Sequence, residues 1–188
     1  MKNGLPANYQ KVLEKSTAIN FDMSSEPAFC SLLRTLVASK PYGQILEIGG
    51  GTGLATSWML DGMDSDSVLT SIDNEEDYFQ VAYTVLGSDG RLDLLCTDGN
   101  EWIKANRRKK FDLIFADAWP GKFSLLNETL EMVKSGGYYV IDDLLPQKNW
   151  PEGHDKKVVD LLAELQTKKD FFMTQLDWST GIVIMTKK

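Results

Sequence analysis

The residues best suited to chemistry in this chain are carboxylates, and they recur where short apolar runs end. The first such place is Glu47-Ile48-Gly49-Gly50-Gly51-Thr52-Gly53. Asp73 ends a second run, Asp98-Gly99 follows a third, Asp117 a fourth and Asp142-Asp143 a fifth. Glycines at 49, 50, 51 and 53 let backbone approach a ligand closely, and the helical pattern from Leu54 offers free N–H groups at its start. A tight turn by itself needs only one or two glycines. The spacing does not suit a pyrophosphate. Counting from Gly49 the sixth position is Leu54, and from Gly51 it is Thr56, where a dinucleotide fingerprint needs glycine. No Gly-Lys-Ser/Thr of a phosphate loop occurs either. Glu47 would repel phosphate and suits an amino group or a positive centre. Asp73, 20 residues after Gly53, stands where an acid accepts both hydroxyls of a ribose. Asp98 could take the exocyclic amine of an adenine. Together these residues describe a pocket for a cationic amino acid joined to adenosine, which is the chemistry of S-adenosylmethionine.

His154, the single histidine, lies in the polar stretch Gln147–His154. Its ordinary pKa near 6.5 makes it the one ready base near neutrality. Trp119, Trp150 and Trp178 are expected to border the same region, where aromatic faces favour planar substrates and cation–π contact with a sulfonium.

The elements that must position these groups follow from periodicity. Strands are expected at Gln44–Ile48, Val68–Ile72, Leu92–Cys96, Leu113–Ala116, Gly137–Ile141, Phe171–Gln175 and Ile182–Thr186. Helical spacing appears at Phe29, Leu32, Leu33, Leu36 and Val37, at Tyr78–Leu86 and at Val158–Leu165. Ser25-Glu26-Pro27 reads as a helix start with a serine cap, and Pro41-Tyr42-Gly43 as its stop. Residues 1–22 read as a helical lead-in anchored by Val12, Leu13 and Ile19. Alternation of strands and helices predicts an α/β fold, a doubly wound, mostly parallel seven-stranded sheet of Rossmann-like type. The last two strands, with no helix between them, predict an antiparallel edge hairpin. The expected organisation is one domain over 1–188, with a helical N-terminal extension at 1–40 and a cofactor-binding core at 41–188.

Composition excludes other classes. With 20 basic and 27 acidic side chains the 188-residue chain carries a formal charge of −7, which disfavours gripping nucleic acid. The longest uncharged stretch, Ile48–Leu60, is far short of a membrane span. No apolar segment follows Lys2, so no secretory signal is expected. Cys30 and Cys96 read as reduced core thiols of a cytoplasmic protein. One histidine leaves no zinc site built on several His and Cys.

From Met23 onward the chain resembles the class I S-adenosylmethionine-dependent methyltransferases. Glu47-x-Gly49-x-Gly51-x-Gly53 is similar to the family's first motif. Met23-Ser24-Ser25, ahead of a helix, is similar to the binding segment of the small-molecule O-methyltransferases of the catechol and caffeoyl-coenzyme A type. The resemblance implies that Ser25 contacts the cofactor, Glu47 its amino end, Asp73 the ribose, and Asp98-Gly99 the adenine edge, with Gly49, Gly51, Gly53 and Asp117 completing the pocket. It also implies that Asp117, Asp142 and Asp143 hold a magnesium-like ion; Asp117 and Asp142, together with His154, singled out by its residue type, are the catalytic candidates. Three converging carboxyls repel unless a hard cation or protons join them. Two departures stand out: the family's Asp-Asn pair is Asp142-Asp143 here, and its lysine base, three residues after the fourth-strand acid, is Pro120, with Lys122 two residues further on. The expected activity is methyl transfer to an oxygen of a small-molecule acceptor, with no nucleic acid or membrane partner and with a homodimer allowed for. Aminopropyl transfer and a non-catalytic cofactor-binding module are the alternatives.

Overall fold

A computed structural model describes residues 4–147 and 150–188. The first three residues of the expected lead-in, and Lys148-Asn149 of the polar stretch, lie outside the described residues. Strands β1 (Gln44–Ile48), β2 (Val68–Asp73), β3 (Leu92–Cys96), β4 (Phe111–Ala116), β5 (Val133–Ile141), β6 (Phe171–Leu176) and β7 (Ile182–Lys187) form one seven-stranded sheet. Its order is β3-β2-β1-β4-β5-β7-β6. The pairs among β1 to β5 are parallel, while β7 runs antiparallel to both β5 and β6. The expected edge hairpin is therefore real but turned inward: β7 is inserted against β5, and β6 is the outer strand.

Seven helices are described: α1 (Tyr9–Ala18), α2 (Pro27–Ala38), α3 (Leu54–Gly62), α4 (Glu76–Leu86), α5 (Gly99–Asn106), α6 (Leu126–Glu131) and α7 (His154–Gln166). They cover both faces of the sheet, and the strands' two-residue alternation decides which helices each side chain meets. Ile45 of β1 and Phe115 of β4 pack with Val12 of α1, Phe29 and Leu33 of α2, Trp58 of α3 and Leu86 of α4. Leu46, Ile48 and Ile114 face the other way, toward Trp102 of α5, Leu130 of α6 and Leu161 of α7. Each such buried aliphatic side chain contributes about 1.5–3 kcal/mol. Helices α1 and α2 thus share the sheet's own core.

Three local expectations change. Pro27 does open α2, but Glu26 is its N-cap and makes no side-chain cap bond. Ser25, expected as the cap, turns its hydroxyl to Asp117 instead. In the lead-in Val12 is fully buried, whereas Ile19 ends α1 at 38% exposure, so it anchors little. Cys30 is buried in the core, but Cys96 is exposed at the tip of the outer strand β3; both are free thiols.

Candidate active site

Strand order reverses between β1 and β4, and the crevice beyond their carboxyl ends is where ligands bind in such sheets. The glycine loop leaves β1 at this point. Gly49 and Gly50 both donate their N–H to the carbonyl of Ile72, at 2.8 and 3.0 Å, which pins the loop to β2. Gly49 has φ +91°, and a Cβ there would sit 2.8 Å from the Asp117 carbonyl oxygen, so only glycine lets the tips of β1 and β4 approach this closely. Gly51 donates its N–H to Asp73 Oδ2 at 2.8 Å, while Asp73 Oδ1 accepts from Glu75 N at 2.8 Å. Asp73 therefore braces the loop as well as facing the crevice.

The crevice holds a cavity of about 670 Å³. At the β2–β3 end it is lined by Asp73, Asp98, Gly99, Tyr78 and Phe21. Asp98 caps α5, accepting from Glu101 N through Oδ1 at 2.9 Å. Phe21 meets Tyr78 edge-on at 4.8 Å between ring centroids. At the β4–β5 end lie Asp117, Lys122, Phe123, Asp143, Trp150 and His154. Seven carboxylates (Asp22, Glu26, Asp73, Glu75, Asp98, Asp117 and Asp143) line the cavity against one ammonium, Lys122, among the described residues. That balance favours a cationic ligand.

Of the expected site residues, Ser25, Gly49, Gly51, Asp73, Asp98, Gly99, Asp117, Asp143 and His154 line this cavity. Glu47, Gly53 and Asp142 do not. Glu47 lies on the β1 face that Ile45 also uses and is fully buried under the loop. Its Oε2 accepts from Ser71 Oγ at 2.5 Å and Thr56 Oγ1 at 2.6 Å, while Oε1 has no partner among the described residues. Burial pushes its pKa up to about 7, with the two hydroxyl bonds pulling the other way. Gly53, at φ +92°, starts α3 against Leu86 and Ala82. Asp142 is 2% exposed, beneath the cavity floor. Trp119 and Trp150 border the cavity, whereas Trp178, in the β6–β7 turn, is not among its lining residues. His154, expected in a loop, is the first residue of α7.

Asp117, Asp142 and Asp143 do converge: one carboxylate oxygen from each lies within 4.8 Å of the others. Burial raises the Asp117 and Asp142 carboxyls above the usual range, the neighbouring Lys122 opposes the rise in both, and Asp143 adds to it. Asp142 Oδ1 has no partner among the described residues. An oxygen-only trio at this separation, with one orphaned oxygen, fits a hard divalent cation. Lys122 is 4% exposed and donates from Nζ to the Asp142 carbonyl oxygen at 2.6 Å. The turn at Trp119-Pro120-Gly121 thus brings Lys122 into the site despite its extra two residues.

Sequence reasoning missed Phe21, Tyr78, Thr180 and the hydroxyls that hold Glu47. Phe21 falls outside any periodic run, so no pattern marks it. Thr180 reaches the site only because the β6–β7 turn folds back, where Asp143 N donates to Thr180 Oγ1 at 3.3 Å and Leu145 N to the Thr180 carbonyl at 2.8 Å. Ser71 and Thr56 look like ordinary strand and helix residues.

The fold is a doubly wound α/β one with a crevice at its switch point, and residues 7–182 match the family model described as O-methyltransferase. The chain belongs to that family. It is similar to provisionally named O-methyltransferases of Mycobacterium sp. (strain KMS) and Mycolicibacterium smegmatis, each 31% identical over 120 residues and 61% of this chain, but 54% and 57% of theirs. The chain spans about half the length of the curated relatives it matches. Among solved structures it is similar to the O-methyltransferase from Bacillus cereus in complex with SAH, with TM-score 0.85, 17% identity and 100% and 94% of the two chains covered. The O-methyltransferase TomG from Streptomyces achromogenes, in complex with SAM, gives TM-score 0.83, 18% identity and coverage of 97% and 90%. At these identities the likeness establishes the fold.

Proposed function

We propose that this chain is an S-adenosylmethionine-dependent O-methyltransferase acting on a small-molecule acceptor, with residues 1–188 working as one unit. The observation that carries this reading is the acidic cavity at the switch point, floored by Gly49 and Gly51 and braced by Asp73. The cofactor state of the Bacillus and Streptomyces relatives supports it. Asp73 retains lone pairs for ribose hydroxyls, Asp98 and Gly99 meet the adenine edge, and Ser25 and Asp117 face the sulfonium side. Glu47 acts from beneath, by joining Ser71 of β2 to Thr56 of α3 under the loop rather than by touching the ligand.

Methyl transfer is an in-line displacement, so the protein's main task is to hold the acceptor oxygen against the sulfonium methyl and to receive one proton. The sulfonium loses its charge as the methyl leaves, and the hydroxyl proton passes to the Asp117 carboxylate, at the acceptor end of the cavity, with the Lys122 ammonium beside it. Asp117, Asp142 and Asp143 would hold a divalent ion, whose chemistry is to lower the pKa of an acceptor hydroxyl. Two free thiols, one of them exposed, support a cytoplasmic, reducing setting. The finer proposal of a homodimer has its support in Phe172, 67% exposed on the outer strand β6; size-exclusion chromatography reads it directly.

Calorimetric titration with S-adenosylmethionine, followed by turnover to S-adenosylhomocysteine across catechols, other phenols and carboxylic acids, tests the reading. Binding with turnover is expected. Tight binding with none across the panel would favour the non-catalytic module that Pro120, in place of the family's lysine, suggests. Excess chelator is expected to abolish turnover and leave cofactor binding intact, since Gly51, Asp73 and Asp98 do not depend on the ion. Full activity in chelator would remove the metal.

A further inference from the structure

The acceptor end of the cavity has an aromatic wall with a single imidazole set into it. The His154 ring centre lies 4.6 Å from that of Trp150, 5.2 Å from Phe123 and 6.3 Å from Trp119, meeting the last two edge-on. The ring is fixed from below as well, because Gly153, at φ +78°, starts α7 and His154 N donates to the Pro151 carbonyl at 3.1 Å. Packed this way, the two ring nitrogens differ. Nδ1 is buried with no hydrogen-bond partner among the described residues, whereas Nε2 is not among the sealed atoms of a residue that lines the cavity. A neutral imidazole carries one proton, and which nitrogen holds it is decided by the partners each can find. Orphaned buried N–H groups are rarer in folded proteins than under-satisfied acceptors, and an N–H on the open nitrogen can still bond water or a ligand, so the proton is better placed on Nε2.

We propose that His154 is a neutral hydrogen-bond donor, protonated on Nε2, that orients the methyl acceptor by one of its oxygen lone pairs and does not take the acceptor's proton. This inference rests on reading the cavity as a methyl-transfer site. It gives His154 the opposite role to the base suggested by its residue type. Surrounding charge supports a neutral ring: burial first, then Lys122 and Lys157, hold its pKa below the ordinary value, against the weaker pull of Asp143 and Asp155. The acceptor it selects is a planar molecule bearing an oxygen that can accept a hydrogen bond, lying against Trp119, Phe123 and Trp150.

The chain has one histidine, so a nitrogen-15 spectrum of histidine-labelled protein reads the tautomer without ambiguity and independently of activity. A pyrrole-type Nε2 and a pyridine-type Nδ1 at neutral pH are expected; the reverse pattern would overturn the proposal even in a fully active enzyme. With whichever acceptor the panel identifies, His154→Gln keeps an N–H donor and is expected to hold KM within about threefold. His154→Phe, which keeps the wall and loses the donor, is expected to raise KM about tenfold with kcat changed less. Equal KM losses in the two variants would also overturn it. If the phenylalanine variant fails to fold, the spectrum of the unaltered protein still decides. If no acceptor turns over, the spectrum tests this assignment apart from the proposed function.

Discussion

Asp73 shows how one carboxylate serves both loop and ligand. One oxygen receives Gly51 N and the other Glu75 N, each at 2.8 Å, so the acid is held before any ribose arrives. Removing it frees the Gly51 amide and deletes the acceptors for two hydroxyls. Asp73→Ala is expected to weaken S-adenosylmethionine binding by about 1.5–3 kcal/mol for each hydrogen bond that the carboxylate makes to the ligand. Calorimetry on the folded variant checks this, and unchanged affinity would take Asp73 out of the site. Asp73 and Asp98 are readable in sequence because acids at strand ends are unusual among apolar runs. Glu47 is readable as important but not as buried. Its strand position puts it on the face of Ile45 and Phe115, beneath α3, and only the packed sheet reveals which face is covered.

At the scale of elements, the seven strands are legible as short apolar runs between polar turns, except that β5 begins at Val133, ahead of the expected Gly137, because Lys134, Ser135 and Gly136 break its run. Helices α2, α4 and α7 are legible because their apolar residues recur at helical spacing. Helices α5 and α6 are 8 and 6 residues long, too short for periodicity to stand out, and the sequence marks neither. The carboxylate trio is legible as separate strand-end acids, but its convergence depends on β4 and β5 being neighbours in the sheet. The glycine loop divides its labour in a way spacing alone does not disclose: Gly49 and Gly51 face the cavity, while Gly53 serves packing. Gly53→Ala places a Cβ 2.9 Å from Leu86 Cδ1 and forces an L side chain to φ +92°. The expected cost is about 1–3 kcal/mol of stability, or ~2–4 °C in melting temperature per kcal/mol. Cofactor affinity should fall less in this variant than in Gly51→Val, whose side chain enters the cavity. A Gly53 variant that melts normally but no longer binds would reverse the division.

For the molecule as a whole, buried acids couple stability to pH. Glu47 has a pKa of about 7 in the folded chain against an ordinary 4.5. The folded state holds its proton more tightly than the unfolded state does. That contribution is fully present below about pH 4.5 and is lost as pH rises through 7, a difference of roughly 3 kcal/mol. Glu47→Gln removes the titration while keeping an oxygen for Ser71 and Thr56. Urea unfolding at pH 5 and pH 8 is expected to show the variant gaining on the parent chain by about that amount at the higher pH. A constant difference at both values would place the Glu47 proton equilibrium near that of an exposed glutamate.

The insertion of β7 between β5 and β6 also sets an order of assembly. β6 and β7 are joined by a short turn and pair from Leu176–Ile182 outward, a local and quickly closed loop. Pairing β7 to β5 instead brings Tyr138 to Thr186 across α7 and its approach. Until Ile182–Lys187 has been synthesised, β5 carries a bare edge and β6 has no neighbour, with a strand-wide gap of about 10 Å between the places they will occupy. Those are templates for pairing with another chain. The nascent chain is thus open to pairing with another chain from the time β5 has emerged until β7 follows it, while the sheet still lacks one interior strand.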